Sequence, residues 1–120
     1  GTRFRMPGLR FGVVLGTRRL ANLIGATAAR GLLANTQVFD AEQALQCGFA
    51  TALRAQSYWP QIVNEAITTA LSLPADAQRA MLGRTVTDTR DADLAALVRS
   101  VARPGLRDRV VEFIDESKSR

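Results

Sequence analysis

The segment that most constrains the fold is Phe4–Leu15 (FRMPGLRFGVVL), which has the apolar pattern of a β-strand interrupted by Pro7, Gly8 and Gly12. Proline is tolerated only at the end or the edge of a strand. A short strand is not stable without neighbouring strands, and the rest of the chain offers few of them. We therefore expect residues 1–15 to pair with strands outside this sequence, and the chain to be the C-terminal part of a longer protein.

The residues that follow predict helices. Thr17–Ile24 is amphipathic and is followed by Gly25, a residue that readily adopts the left-handed conformation that ends many helices. Asp40 and Gln43 have capping-box spacing, which predicts a short helix over 41–47. Ser57 is the expected cap of a long helix that Pro74 ends. Further helices are expected at 26–35, 75–83 and 89–102 and from about Pro104 onward, and a short strand at Phe49–Leu53.

Length and composition indicate one modest folded domain. The chain has 120 residues, of which 47% are hydrophobic and 22% charged, and this excludes a disordered chain. The lone cysteine, Cys47, cannot form an intrachain disulfide, which fits a reducing compartment and a cytoplasmic protein. Its place at a helix end disfavours a thiolate and predicts a buried packing residue.

Positive charge is concentrated in the first third of the chain. Residues 1–39 contain six arginines and no acid, whereas the rest has ten basic and eleven acidic residues. This distribution fits an anion site, or a surface whose acidic partner segment lies elsewhere. Nucleic-acid binding is a weaker alternative, since aromatic residues for base stacking are few. The six arginines are Arg3, Arg5, Arg10, Arg18, Arg19 and Arg30. Arg18 and Arg19 are expected to be solvated cations at a helix end, with attraction of an anionic ligand as the alternative.

The chain contains no histidine, which removes histidine-based triads, bases and metal ligands. Asp88, Asp91 and Asp93 lie near a predicted helix start and are expected to act as caps, not as metal ligands. The run Gly12–Thr17 resembles a strand-to-helix turn but lacks the Gly-Lys-Ser/Thr ending of a P-loop. Its amides suit an anion or a polarised carbonyl oxygen.

These motifs together resemble the crotonase family, the enoyl-CoA hydratases and isomerases. Members typically read F-x-x-P-E-x-x-x-G-x-x-P-G-x-G-G-T-Q-R-L, then a helix with I-G, then A-x-E-A-x-x-x-G-L-V. The last helix, VVEFIDESKSR, resembles the family's closing helix. The matching residues are Phe4, Pro7, Gly12, Gly16, Thr17, Arg19, Leu20, Ile24, Gly25, Ala41, Glu42, Ala44 and Gly48, with Phe49 at the leucine position.

Two departures from the family pattern bear on chemistry. Many hydratases have a catalytic glutamate directly after the motif proline, and Gly8 occupies that position here. The glycine-rich loop is also shortened, because Leu15 and Gly16 run directly into Thr17. General acid–base catalysis needs a titratable group within reach of the substrate. No catalytic residue is therefore identified in this chain, and water addition is doubtful.

The resemblance implies an α/β crotonase-like fold of which this chain is the C-terminal portion, mostly α with one or two short strands. It implies that residues 1–55 end the spiral core and that 56–120 form a helical oligomerisation region of trimers or hexamers. The implied substrate is an acyl-CoA thioester, with no other cofactor and no metal. Phe113 and Lys118 are expected to contact the coenzyme A of a neighbouring subunit. The implied acyl pocket is formed by Met6, Pro7, Gly8, Leu9, Val14, Leu15 and Gly16.

Two interpretations stay open at this point. In the first, the chain is part of an acyl-CoA enzyme, with isomerase-like or decarboxylase-like chemistry compatible with the fold. In the second, it belongs to a non-catalytic crotonase-like assembly subunit or is an isolated structural fragment. The helices of 58–120 have apolar stripes without a sheet to cover, which favours assembly in either case.

Overall fold

The computed structural model describes residues 1–119, and within them the chain is mainly helical, as predicted. Two strands of two residues each are β1 (Arg3–Phe4) and β2 (Phe39–Asp40). Short 3-10 turns span Gly8–Phe11 and Gln56–Tyr58. The α-helices are α1 (Thr17–Ile24), α2 (Ala26–Ala34), α3 (Ala41–Gln46), α4 (Trp59–Leu71), α5 (Ala75–Thr85), α6 (Arg90–Val101) and α7 (Leu106–Lys118).

The opening segment forms far less strand than its apolar pattern predicts. Only β1 pairs, antiparallel to β2, with Arg3 opposite Asp40 and Phe4 opposite Phe39. Pro7 then adopts a helical conformation, and the chain curls into the turn Gly8–Phe11. Gly12 follows with a φ of 80°, a left-handed conformation that favours glycine. The prediction of a strand running to Leu15 is therefore wrong.

The predicted strand at Phe49–Leu53 is also absent: no strand is formed there. Phe49 instead packs its ring edge-on against Phe4 and Phe39, at centroid distances of 5.1 and 5.5 Å. The following backbone turns back on α3, where the Ala50 amide donates to the Ala44 carbonyl at 2.9 Å. The side chain of Phe49 is thus half-buried in a cluster of rings, although its backbone joins no strand.

Most helix limits follow the local signals. α1 ends at Gly25 as predicted, and Asp40 caps α3 in a reciprocal capping box with Gln43. The prediction for Ser57 is wrong: it lies in the 3-10 turn, and α4 begins at Trp59 without a side-chain cap. The turn before α4 and Pro60 in its first turn set the start of that helix.

The chain divides into two compact units. The first contains Gly1–Ala52 together with α6 and α7, and the second is Leu53–Thr89, with α4 and α5. The core of the first unit is Leu20, Ala29 and Leu33, which α1 and α2 bury between them. Its second packing centre joins α7 to the opening turn, where the Phe11 and Phe113 rings lie 5.5 Å apart. The expected role of residues 56–120 in assembly stays a prediction.

The second unit has a continuous apolar face on α4. Trp59, Val63, Ile67 and Leu71 follow one another at intervals of four residues, and each is at least half exposed. Such an exposed apolar stripe is typical of a surface that packs against another part of a protein. Of the helices within residues 1–119, none combines the length and the apolar character that a membrane span requires.

Candidate functional site

The loop from Gly12 to Gly16 is held in place by a residue far along the chain. The Val14 amide donates a 3.0 Å hydrogen bond to Oγ of Ser100, a buried residue on α6. The Ser100 hydroxyl in turn donates to the Leu97 carbonyl at 2.7 Å. Gly16 has a φ of 69° and directly precedes α1, at the N-cap position. The loop is therefore an ordered turn, and α6 determines its position.

Replacing Ser100 with alanine should destabilise the intact protein by about 1–3 kcal/mol, since the partly buried Val14 amide would lose its acceptor. Thermal or urea unfolding measures the loss. The matched control is Ser117→Ala on α7, whose hydroxyl binds only a carbonyl of its own exposed helix. Equal losses in the two variants would contradict a special role for Ser100.

Gly8 occupies the glutamate position of the family motif in a very confined turn. A Cβ atom built on Gly8 would lie 2.8 Å from the Val13 carbonyl oxygen. The Val13 amide also donates to the Gly8 carbonyl at 2.8 Å, which closes the turn. Two backbone segments are therefore in direct contact here, and the turn leaves no room for any side chain at residue 8.

A cavity of about 310 Å³ opens beside the loop, between α1, α2 and α6. Its α2 wall consists of residues 26, 29, 30 and 33, which share one helix face at the i, i+3, i+4, i+7 spacing. The surface is mainly apolar, with charged groups at a few places. The lining residues are Val14, Gly16, Thr17, Arg18, Ala21, Ala26, Ala29, Arg30, Leu33, Asp93 and Ala96.

Asp93 brings a carboxylate to this cavity. It lies in the first turn of α6, as predicted, and forms an ion pair with Arg18, with Nε and Oδ1 3.1 Å apart. Arg19 Nε lies 4.0 Å from the other carboxylate oxygen. The two arginines, expected to be solvated cations, therefore have a carboxylate partner. In the same cavity wall, the Thr17 hydroxyl oxygen is buried and has no hydrogen-bond partner in the described part of the chain.

The residues predicted for the acyl pocket are only partly brought together. Val14 and Gly16 line the cavity, and Met6 packs against the core beneath it, with Cε 3.2 Å from the Cβ position of Gly16. Pro7, Gly8 and Leu9 lie in or next to the turn before the loop and are not in the cavity wall. Leu15 points largely to solvent, with 63% of its surface exposed.

The other predicted residues lie away from the cavity. Phe113 packs in its own chain, against Phe11 and below the Arg5 guanidinium, which is 5.1 Å from the ring centroid. Lys118 is exposed in the last turn of α7. Cys47 is half-buried, not fully buried as expected, and its thiol contacts the Ala44 carbonyl at 3.5 Å. Within residues 1–119, no group of three or more cysteine or carboxylate side chains converges on a metal position.

Sequence reasoning missed the α2 wall and Asp93. The α2 residues carry a usable signal, because Ala26, Ala29 and Leu33 repeat at helical spacing. Asp93 carries none: nothing local indicates that it meets Arg18, a residue 75 positions earlier in the chain. Such a long-range pair is a product of the tertiary fold.

Two solved structures have a fold similar to that of this chain. A Bordetella parapertussis protein of enoyl-CoA hydratase/isomerase type superposes with a TM-score of 0.88 at 40% sequence identity, over 93% of this chain and 47% of that one. An enoyl-CoA hydratase/isomerase from Pseudoalteromonas atlantica superposes with a TM-score of 0.74 at 17% identity, over 96% of this chain and 50% of that one. No family model and no curated protein matches the sequence. The chain thus spans about half the length of these structures, and it belongs to the enoyl-CoA hydratase/isomerase family of the crotonase superfamily, as a C-terminal portion of that fold.

Proposed function

We propose that the intact protein binds acyl-CoA thioesters and does not hydrate them by a paired-glutamate mechanism. The observation that supports this proposal has two parts. An apolar cavity lies beside an ordered loop with backbone amides, and a turn that admits only glycine occupies the position of the family's glutamate. The 40% identity with an enoyl-CoA hydratase/isomerase supports the choice of substrate class.

The cavity has the chemistry of an acyl pocket. Alanines from α1, α2 and α6, with Val14 and Leu33, provide apolar walls that favour a hydrocarbon group. At about 310 Å³ it is at the small end of ligand pockets, which favours a short acyl chain over a whole coenzyme A. Arg18 and Asp93 at the wall supply polar groups that orient a ligand.

Gly8 limits the chemistry that this chain can supply. A glycine has no group that titrates, and the contact between residue 8 and the Val13 carbonyl excludes a carboxylate there without rearrangement of the turn. Asp93 is the carboxylate in the wall of the cavity beside the loop, and it is engaged with Arg18. Hydration through a residue at position 8 is therefore not supported, whereas reactions that need only a polarised thioester carbonyl remain compatible with the site.

Assembly of copies of the protein into trimers or hexamers is part of this proposal. The exposed apolar stripe of α4 supports it, because a stripe of this kind is stabilised when another surface covers it. The contacts expected for Phe113 and Lys118 with a neighbour's coenzyme A remain predictions. Light scattering of the intact protein tests the assembly, and a monomeric mass would overturn it.

The test of function is thioester binding by the intact protein, with the variant Ala26→Leu to fill the cavity. Ala26 lines the cavity at the start of α2 and is exposed, so a larger side chain is accommodated there at the expense of the ligand. We expect this variant to bind a short-chain acyl-CoA at least about tenfold more weakly, a change of about 1.4 kcal/mol. The matched control is Ala34→Leu, at the exposed end of the same helix and outside the cavity wall.

Turnover assays separate the two interpretations of the family resemblance. Crotonyl-CoA hydration should be absent in the intact protein, and isomerisation of an acyl-CoA double bond is the first alternative reaction to measure. Thioester binding without any turnover would favour a non-catalytic subunit. If Ala26→Leu and Ala34→Leu bind the thioester with equal affinity, or if the unmodified protein does not bind it, the proposed pocket is overturned.

A further inference from the structure

Two of the three guanidinium nitrogens of Arg109 donate hydrogen bonds to backbone carbonyls of the first unit. Arg109 Nε donates to the Phe11 carbonyl at 2.8 Å, across 98 positions of the sequence. Its Nη1 donates to the Pro104 carbonyl. The guanidinium is thus fixed from two sides, by the opening turn and by the loop before α7. A guanidinium held in this way offers its remaining donors in a set direction.

The remaining nitrogen, Nη2, is buried and has no hydrogen-bond partner among residues 1–119. Guanidinium N–H groups only donate, so this group requires an acceptor to be satisfied. No carboxylate of residues 1–119 forms an ion pair with Arg109, although Asp108 and Glu112 lie on the same helix. The N–H groups of Nη2 therefore have no acceptor among residues 1–119, and the charge of Arg109 has no carboxylate partner there.

A second guanidinium faces the same place. A Cβ built on Gly12 would lie 3.7 Å from Nη1 of Arg103 and 3.9 Å from Nη2 of Arg109, and no other part of the chain comes closer to it than Arg109 Nε, at 3.5 Å. The Cβ position of Gly12 is therefore in van der Waals contact with the guanidiniums of two arginines, and neither arginine has a carboxylate partner among residues 1–119. The φ of 80° at Gly12 favours glycine, which keeps this space free of a side chain.

From this juxtaposition we propose that Arg103 and Arg109, whose guanidiniums lie beside Gly12, form a binding site for a phosphoryl group. Two guanidiniums at one point match the dianionic charge and the several acceptor oxygens of phosphate, which arginine binds by charge-assisted hydrogen bonds. Arg5, held over the Phe113 ring beside the same turn, adds positive potential. Free phosphate and the phosphates of a coenzyme A ester share this chemistry. The site involves none of the residues that line the cavity, so it does not depend on the acyl pocket.

The test is calorimetric titration of the intact protein with inorganic phosphate at low ionic strength, in the unmodified form and as Arg103→Gln. Arg103 is exposed and makes no hydrogen bond or ion pair within residues 1–119, so its replacement should leave folding intact. We expect the Kd for phosphate to rise about tenfold, the effect of one charge-assisted hydrogen bond. The matched control is Arg107→Gln, an exposed arginine of the same stretch that does not face Gly12, and its Kd should stay within twofold of the unmodified protein.

Competition identifies the source of the phosphoryl group. Displacement of phosphate by coenzyme A supports a coenzyme A phosphate as the ligand, and unchanged phosphate binding at saturating coenzyme A supports free phosphate. No phosphate binding at millimolar concentration, or equal losses in Arg103→Gln and Arg107→Gln, would overturn the site. Because thioester binding is measured separately through Ala26→Leu, failure of the phosphoryl site leaves the proposed function standing, and the reverse also holds.

Discussion

Leu20→Ala should destabilise the intact protein by about 2–5 kcal/mol, the largest effect that we expect from a single truncation in this chain. Leu20 is 2% exposed and lies at the centre of the packing between α1 and α2, against Ala29 and Leu33. The small side chain at Ala29 lets the two helices approach closely, so the space left by a truncated Leu20 is not easily filled by its neighbours. Urea or thermal unfolding of the intact protein measures the change.

Two variants control this prediction. Leu20→Met preserves the volume of the side chain and should cost less than about 1.5 kcal/mol. Leu23→Ala removes the same number of atoms from the same helix, but Leu23 is 60% exposed, and its loss should be small. If Leu23→Ala costs as much as Leu20→Ala, the core of this unit is not centred where the structure has it.

Elements set by short-range rules could be predicted from sequence. The capping box of Asp40 and Gln43 and the stop of α1 at Gly25 depend on residues within one helical turn of one another. Ser57 shows the limit of such rules: it is a favourable cap residue, but the 3-10 turn that contains it shifts the helix start to Trp59. A capping preference of about 1 kcal/mol is readily outweighed by the packing of neighbouring residues.

The site could be predicted only in part, because its connections are long-range. The family pattern identified Gly8, Val14 and Gly16 as residues of interest, and the structure places the last two in a cavity wall. It did not indicate that Ser100 orients the loop or that Asp93 reaches Arg18, since those contacts span 86 and 75 residues. Loops and their distant anchors depend on tertiary packing, which no local pattern encodes.

The prediction of a β-strand over Phe4–Leu15 was wrong for a related reason. The segment's two phenylalanines are half-buried through ring contacts, Phe4 with Phe39 and Phe49, and Phe11 with Phe113, whereas Leu15 is exposed. The glycines and Pro7 allow the chain to turn between these two clusters. Apolar periodicity in so short a segment indicates burial more reliably than it indicates backbone conformation.

Gly8→Glu, which restores the motif glutamate, should not create hydratase activity and should destabilise the intact protein by about 1–3 kcal/mol. The first added atom, Cβ, would lie 2.8 Å from the Val13 carbonyl oxygen, a backbone atom that cannot rotate away. To admit the side chain, the turn must break the hydrogen bond from the Val13 amide to the Gly8 carbonyl. The adjacent Val14 amide would then shift from Ser100, so the loop would lose its position as the carboxylate enters.

Gly8→Ala isolates the steric part of this effect, because it adds Cβ without a charge, and most of the destabilisation should already appear in it. Gly31→Ala is the matched control: Gly31 lies inside α2, and beyond its own stretch of helix no described atom lies within 4 Å of its Cβ position, so alanine should stabilise the protein by about 0.4–1 kcal/mol. Opposite signs at the two glycines would show that residue 8 is glycine because of the contact with Val13. Crotonyl-CoA hydration by Gly8→Glu with undiminished stability would instead mean that the turn opens at little cost, and that the motif position still accepts its catalytic acid.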